Sequence, residues 1–232
     1  MNFADQHVVV LGGSSGIGYA TAAAALARGA EVTLVSRSPQ RAAGRLGVRG
    51  HAADLTDPSA VASALDAAGP VDHVVYTAGE TLSLMPLADF DLARAHDFFE
   101  VRYFGALSAV RAALPRLRPG GSITLSTGTA GDRPTPGWSV AASICGAVES
   151  LTRALAVELA PIRVNAVKPG VTRSPMWGEG EAVDQLYAET AKVVPLGRPG
   201  EVTDVAEAIL YLMSQSYTTG TILPVEGGAL LG

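Results

Sequence analysis

The sequence predicts an α/β fold, a doubly wound parallel sheet in three layers forming a single domain over residues 1–232. Three observations predict it. Short β-branched runs alternate with longer Ala- and Leu-rich segments, the strand runs are apolar almost throughout, and a glycine-rich loop follows the first of them. Alternation of this kind is the signature of βαβ units, and unbroken apolar strands suit a sheet covered by helices on both faces.

The first strand is HVVVL (7–11), leading through LGGSSGIG (11–18) into an Ala-rich helix over 16–28. Glycines in such a loop let the backbone turn tightly and approach a pyrophosphate, whose charge is favoured by the free N–H groups of the helix start. A plain strand-to-helix connection can look the same, so the loop alone does not decide. EVTLVS (31–36) is the second strand, a helix covers 58–67, and DHVVYT (72–77) is the third strand. A long helix over 88–114 precedes SITLST (122–127). In the helix over 138–160, Val148, Leu151, Leu155 and Leu159 recur at three- and four-residue intervals, an apolar stripe aimed at the sheet. Pro161 ends it before IRVNAV (162–167). A helix over 201–213 and the strand TILPV (221–225) close the chain. The region 171–200 mixes Pro, Gly, Trp and charge and is long enough to be a lid, with Trp177 or Tyr187 lining a pocket.

Composition narrows the function. The chain of 232 residues is 48% hydrophobic and carries a net charge of −5 with scattered Lys and Arg, which argues against nucleic-acid and anionic-membrane partners. The start has no basic stretch before its apolar run, and no uninterrupted apolar stretch reaches the ~18 residues of a membrane span, so a cytoplasmic protein is expected. Cys145 is the only cysteine, and His7, His51, His73 and His96 lack ligand spacing, so no disulfide and no metal site are expected.

The spacing Gly12, Gly16, Gly18 resembles the loop of the short-chain dehydrogenase/reductase family, Rossmann-type enzymes. Further matches run the length of the chain: DLTD (54–57), TAG (77–79), GSITLST (121–127), PGVTRSPM (169–176) and the C-terminal GRPGEVTDVAEAILYLMS with TGTILPVEGG. The resemblance implies cofactor contacts from Gly12, Ser14, Ser15, Gly16, Ile17 and Gly18 in the loop, and from Asp54 and Leu55 beside the adenine. It also implies Ala78 and Gly79 after the third strand, and Pro169, Gly170, Val171 and Ser174 on the nicotinamide side. Ser36 and Arg37 end the second strand where NAD-preferring enzymes place an acid that bonds the ribose hydroxyls. An acid repels a 2′-phosphate and a guanidinium clamps it, so NADP(H) is expected over NAD(H). As a plain solvated charge, Arg37 would carry no such preference.

The family's catalytic residues are a Tyr acid/base, a Lys one helical turn later, a Ser that holds the substrate oxygen and an Asn that relays protons. Aligned on GAVESLTRALAVEL, the Tyr and Lys positions are Ala141 and Cys145, the Asn position is Arg102, and the Ser position is Thr127, with Ser126 beside it. No Lys occurs from 121 to 167, so no shift of register restores the pair. Catalytic candidates are therefore Thr127, Arg102 and Arg133, the last in the loop after the active-site strand. Each also has a plainer reading: a strand-end residue, an interface salt bridge and a surface charge. Cys145 reads as a small buried filler, and Trp138 and Trp177 either line an apolar pocket or pack.

Two functions fit. One is an NADP(H)-dependent oxidoreductase with a non-standard site, passing hydride to or from a small apolar or cyclic substrate, an imine, iminium or activated carbonyl. The other is a cofactor-binding protein without redox turnover: a regulator, a structural partner or a scaffold for a non-redox rearrangement. A homodimer or homotetramer is expected, since the helices over 88–114 and 138–160 resemble the family's four-helix interface.

Overall fold

A computed structural model describes residues 1–79 and 84–231. Its centre is a seven-stranded parallel sheet in the order β3-β2-β1-β4-β5-β6-β9, built from β1 His7–Leu11, β2 Glu31–Ser36, β3 Arg49–Ala52, β4 Val71–Tyr76, β5 Leu117–Ser126, β6 Arg163–Pro169 and β9 Ile222–Val225. Strand order reverses between β1 and β4, which opens a crevice at the carboxyl ends of those strands.

The period of two along β1 divides the core. Val9 and Leu11 face one side with α3 Pro58–Ala68, α5 Gly105–Ala113 and α6 Ser139–Glu158. Val8 and Val10 face the other, with α1 Gly16–Leu26, α2 Gln40–Leu46 and α8 Val202–Ser214. This is the three-layer Rossmann-type domain. Helix starts follow local chemistry: Asp57 accepts from the amides of Ser59 and Ala60 with Pro58 in the first turn, and Glu201 and Asp204 form a reciprocal capping box. By length and composition α6 could span a membrane, but Ile144, Val148, Leu155 and Ala156 are buried in the core.

Several boundaries differ from the sequence reading. The helix expected over 88–114 is a composite: Asp91 accepts from the Arg94 amide and starts α4 Leu92–Phe99 later, a π-helical turn fills Glu100–Phe104, and α5 follows. α2 and β3 escaped notice because both are short, and Arg-Gly-His-Ala at the sheet edge has no β-branched residue. The region 171–200, long enough to be a lid, holds β7 Thr172–Arg173, α7 Glu181–Val193 and the start of β8 Gly200–Glu201. β7 pairs with β8, so the segment leaves the body and returns at one small ribbon.

Candidate active site

The crevice is a cavity of about 1300 Å³, and every cofactor candidate from the sequence lines it: Gly12 to Gly18 (except Gly13), Ser36 with Arg37, Asp54 with Leu55, Ala78 with Gly79, and Pro169 to Val171 with Ser174. They arrive from separate parts of the chain because each sits at the carboxyl end of a parallel strand.

The loop after β1 is shaped by close backbone approach. A Cβ on Gly18 would fall 2.4 Å from the Gly12 carbonyl oxygen and 2.5 Å from Thr77 Oγ1, and one on Gly12 would fall 2.6 Å from the Ala78 nitrogen. Gly16 has φ +53°, with Ser174 Cβ the nearest atom to an added Cβ at 3.7 Å. Ser15 caps α1 without a side-chain hydrogen bond, so the first amides of the helix remain available to an anion. At the end of β2 the Ser36 hydroxyl is buried and has no partner, directly beside Arg37. An unpaired buried hydroxyl is costly unless a ligand pairs it, and a ribose or its phosphate has the right chemistry. Asp54 is held below the usual carboxylate range by hydrogen bonds from Thr56, so it stays ionised as an acceptor.

The reacting end is walled by β5, α6, the π-helical turn and the loop after β6. Ala141 and Cys145 lie one turn apart on α6 and both line the cavity, together with Trp138 and Ile144. Thr127 Oγ1 donates to the Cys145 carbonyl at 3.1 Å, which leaves its lone pairs, and not its proton, for a ligand. Burial raises the Cys145 thiol pKa against the opposing pull of Thr127 and the Arg102 charge, so the thiol is less readily ionised than a free one and a slower nucleophile. The Arg102 guanidinium lies against Gly79, where an added Cβ would meet it at 2.7 Å, and its Nη2 approaches Met176 Sδ at 3.9 Å.

A family model described as enoyl-(acyl carrier protein) reductase matches residues 12–229. A short-chain dehydrogenase/reductase of Stachybotrys chlorohalonatus is 37% identical over 248 aligned positions, covering 97% of both chains. The chain belongs to the short-chain dehydrogenase/reductase family. Among solved structures of this family, a small-chain dehydrogenase in complex with NADPH matches with TM-score 0.89 and 35% identity over 98% of this chain and 99% of its own. The MalC reductase/Diels-Alderase from Malbranchea aurantiaca matches with TM-score 0.93 and 29% identity over 99% and 98%. Like its relatives, this short-chain dehydrogenase/reductase is an oxidoreductase of the nicotinamide-binding type.

Two sequence expectations are corrected within that frame. Arg133 does not reach the cavity: its exposed guanidinium donates to the Leu230 carbonyl at 3.2 Å, because the turn Thr129–Gly131 carries the chain outward before residue 133. Tyr187 does not line the cavity either. It is buried, and its hydroxyl accepts from the Ser174 amide at 3.4 Å while Arg173 stacks over its ring, so it supports the loop from behind. Trp177 does line the cavity and is fixed by donation from Nε1 to the Thr172 carbonyl at 2.9 Å.

The structure adds residues the sequence did not single out. Arg94, Asp97 and Glu100 line the cavity from α4 and the π-helical turn. Lys168, just past the stretch searched for a replacement ammonium, is buried behind the wall and paired with Asp132 at 2.5 Å and Glu149 at 2.7 Å. Burial works to lower its pKa, but these two carboxylates outweigh it and raise it. Lys168 does not line the cavity; it ties β6, α6 and the loop after β5 together. No group of metal-ligating side chains occurs among the described residues.

Proposed function

We propose that this protein is an NADP(H)-dependent oxidoreductase that passes hydride to or from a small apolar or cyclic substrate of the imine, iminium or activated-carbonyl class. The observation that carries the reading is one cavity lined both by the glycine-rich loop with the strand ends and by an α6 turn that bears Ala141 and Cys145, the positions aligned with the family's Tyr and Lys. When bound, a nicotinamide supplies the hydride. The residues around it then decide which substrates are served. A ketone that gains hydride becomes an alkoxide and needs a proton or a fixed positive charge, whereas an iminium becomes a neutral amine and needs neither. Arg102 supplies fixed charge for a substrate oxygen, being a strong clamp and a poor acid. Thr127, its proton committed to Cys145, accepts a hydrogen bond from substrate. Trp138, Trp177 and Ile144 give the apolar surface, and the segment 171–200 with α7 acts as a cover that excludes water. An NADPH fluorescence titration followed by turnover of a cyclic iminium tests the assignment; cofactor binding without turnover of any imine, iminium or activated carbonyl would refute it.

A second reading has its own support. One structural relative is named a reductase/Diels-Alderase, and a cavity walled by two tryptophans, with Ala141 and Cys145 at the aligned Tyr and Lys positions, suits a non-redox rearrangement as well. Product formed from a cyclic diene with cofactor present but unconsumed would favour that reading.

Arg37 is the residue proposed to select NADP(H). Arg37 is exposed and lines the cavity next in sequence to Ser36, whose hydroxyl is unpaired, and a cation and a donor there suit the 2′-phosphate of a ribose. Isothermal titration should show tighter binding of NADPH than NADH, with the difference lost in Arg37→Ala. Equal affinities in the wild type would remove this assignment.

A homodimer or homotetramer is also proposed. Phe104 (50% exposed) and Leu107 (38%) from the π-helical turn and α5, and Val157 (82%) from α6, put apolar side chains on the outer surface of the elements that form the family's helical interface. Light scattering at micromolar concentration should give a mass at least twice the 23.7 kDa of the chain. A monomer alone would refute it.

A further inference from the structure

The helical run from α4 to α5 changes form where it passes the cavity. Glu100–Phe104 is π-helical, and the Gly105 amide bonds to the Glu100 carbonyl five residues back. Widening a turn deprives a carbonyl of its ordinary helical donor. The Val101 carbonyl receives another: the Tyr76 hydroxyl donates to it at 2.5 Å. Gly105 makes room for this, since a Cβ there would fall 2.5 Å from Tyr76 Oη and 2.8 Å from the Leu55 carbonyl oxygen. Tyr76 is the last residue of β4, is buried in the core, and is held in register against Leu11 of β1 and Leu125 of β5.

Three residues past Tyr76 the same chain segment reaches Gly79, on which the Arg102 guanidinium lies. One strand end thus provides both the hydroxyl that holds the wide turn and the bare backbone that receives the cation. Relaxation of the turn to α-helical form would rotate Arg102 relative to α5 and lift it from Gly79.

The geometry points to Tyr76 as the positioning residue of the site: its hydroxyl holds the π-helical turn that aims Arg102 into the cavity. The consequence for turnover rests on the reading of Arg102 as a substrate clamp, whereas the positioning itself concerns only where the guanidinium sits. The two are separable because Cys145, the sole cysteine, lines the same cavity and senses the Arg102 charge.

Alkylation by iodoacetate and by iodoacetamide consumes the same thiolate, so the ratio of the two rates cancels the thiol pKa and isolates the attraction of a nearby cation for the charged reagent. Arg102→Met should lower the iodoacetate-to-iodoacetamide ratio on the order of threefold or more. Tyr76→Phe should lower it by a comparable factor, and adding Tyr76→Phe to Arg102→Met should lower it no further. A wild-type ratio in Tyr76→Phe overturns the proposal, as does an unchanged ratio in Arg102→Met or a second full drop in the double variant. If Tyr76→Phe does not fold, Gly105→Ala, which puts a Cβ where the hydroxyl stands, must lower the ratio in its place. Cyclic-iminium turnover measured on the same proteins separates the readings. The expected ratios in a protein that reduces nothing support the positioning and remove the oxidoreductase assignment, and unmoved ratios in an active enzyme do the reverse.

Discussion

Ordinary ketones and secondary alcohols are expected to turn over extremely slowly with NADPH bound, and a matched cyclic iminium is expected to suffer far less. General acid catalysis contributes ~10²–10⁴-fold, and in the proposed reading the α6 turn offers only a methyl group and a thiol at the positions of the family's Tyr and Lys. Burial raises the Cys145 thiol pKa and so makes it a weaker acid than a free thiol. Lys168 is held behind the wall by Asp132 and Glu149 and does not reach the cavity. Positioning and fixed charge such as that of Arg102 are available to a developing alkoxide. The double substitution Ala141→Tyr with Cys145→Lys returns a phenol and an ammonium to one helix face at the spacing of one turn. It should raise ketone turnover while leaving iminium turnover little changed. Recovery is expected to be partial, because a Lys at 145 feels the Arg102 cation, and a like charge lowers the ammonium pKa. Initial rates of the two proteins on the two substrates decide the matter. A wild type that reduces the ketone at ~10 per second, an ordinary enzyme rate, would refute this account of the site.

Gly18→Ala should abolish most cofactor binding. The added Cβ would meet the Gly12 carbonyl oxygen at 2.4 Å, and because that atom is backbone, no side-chain rotation relieves the clash. Either α1 or the loop must shift, and both carry groups proposed to hold the pyrophosphate. Overpacking of this kind costs about 1–3 kcal/mol. At about 1.4 kcal/mol per decade, a distortion of that size in the loop corresponds to roughly ten- to hundredfold in affinity. Gly44→Ala is the control, since a Cβ at that helical position meets nothing within 4 Å. NADPH fluorescence titration and thermal melting should show both affinity and stability reduced in Gly18→Ala and neither reduced in Gly44→Ala. A Gly18→Ala protein that binds NADPH within about twofold of wild type would show that the loop does not approach the pyrophosphate, for twofold is well under 1 kcal/mol.

Much of the fold was legible because its signals are local. Apolar runs of five or six residues mark the central strands, and all of those expected are present within a few residues of their predicted ends, β5 starting earliest. The elements missed lack such a signal. β3 at the sheet edge needs few apolar side chains, and α2 is too short to display a period. α7 is hidden in sequence by flanks that carry Pro, Gly and Trp, although Glu181–Val193 is itself free of both Pro and Gly.

By itself the sequence determined the layer order and the family, and its glycine spacing and strand ends map onto backbone positions that parallel topology gathers along one cavity. It also put Ala141 and Cys145 one turn apart on α6, which is a matter of residue identity at two positions. Only the tertiary structure decided where the long side chains go. Arg102 and Arg133 look equivalent as letters, yet one is turned onto Gly79 in the cavity and the other outward to the Leu230 carbonyl. Tyr76 reads as one more strand residue until a π-helical turn brings the Val101 carbonyl to its hydroxyl. A flexible guanidinium or a single phenol oxygen takes its direction from whichever backbone group lies within reach, and contacts between residues 25 or 97 positions apart leave no period in the sequence.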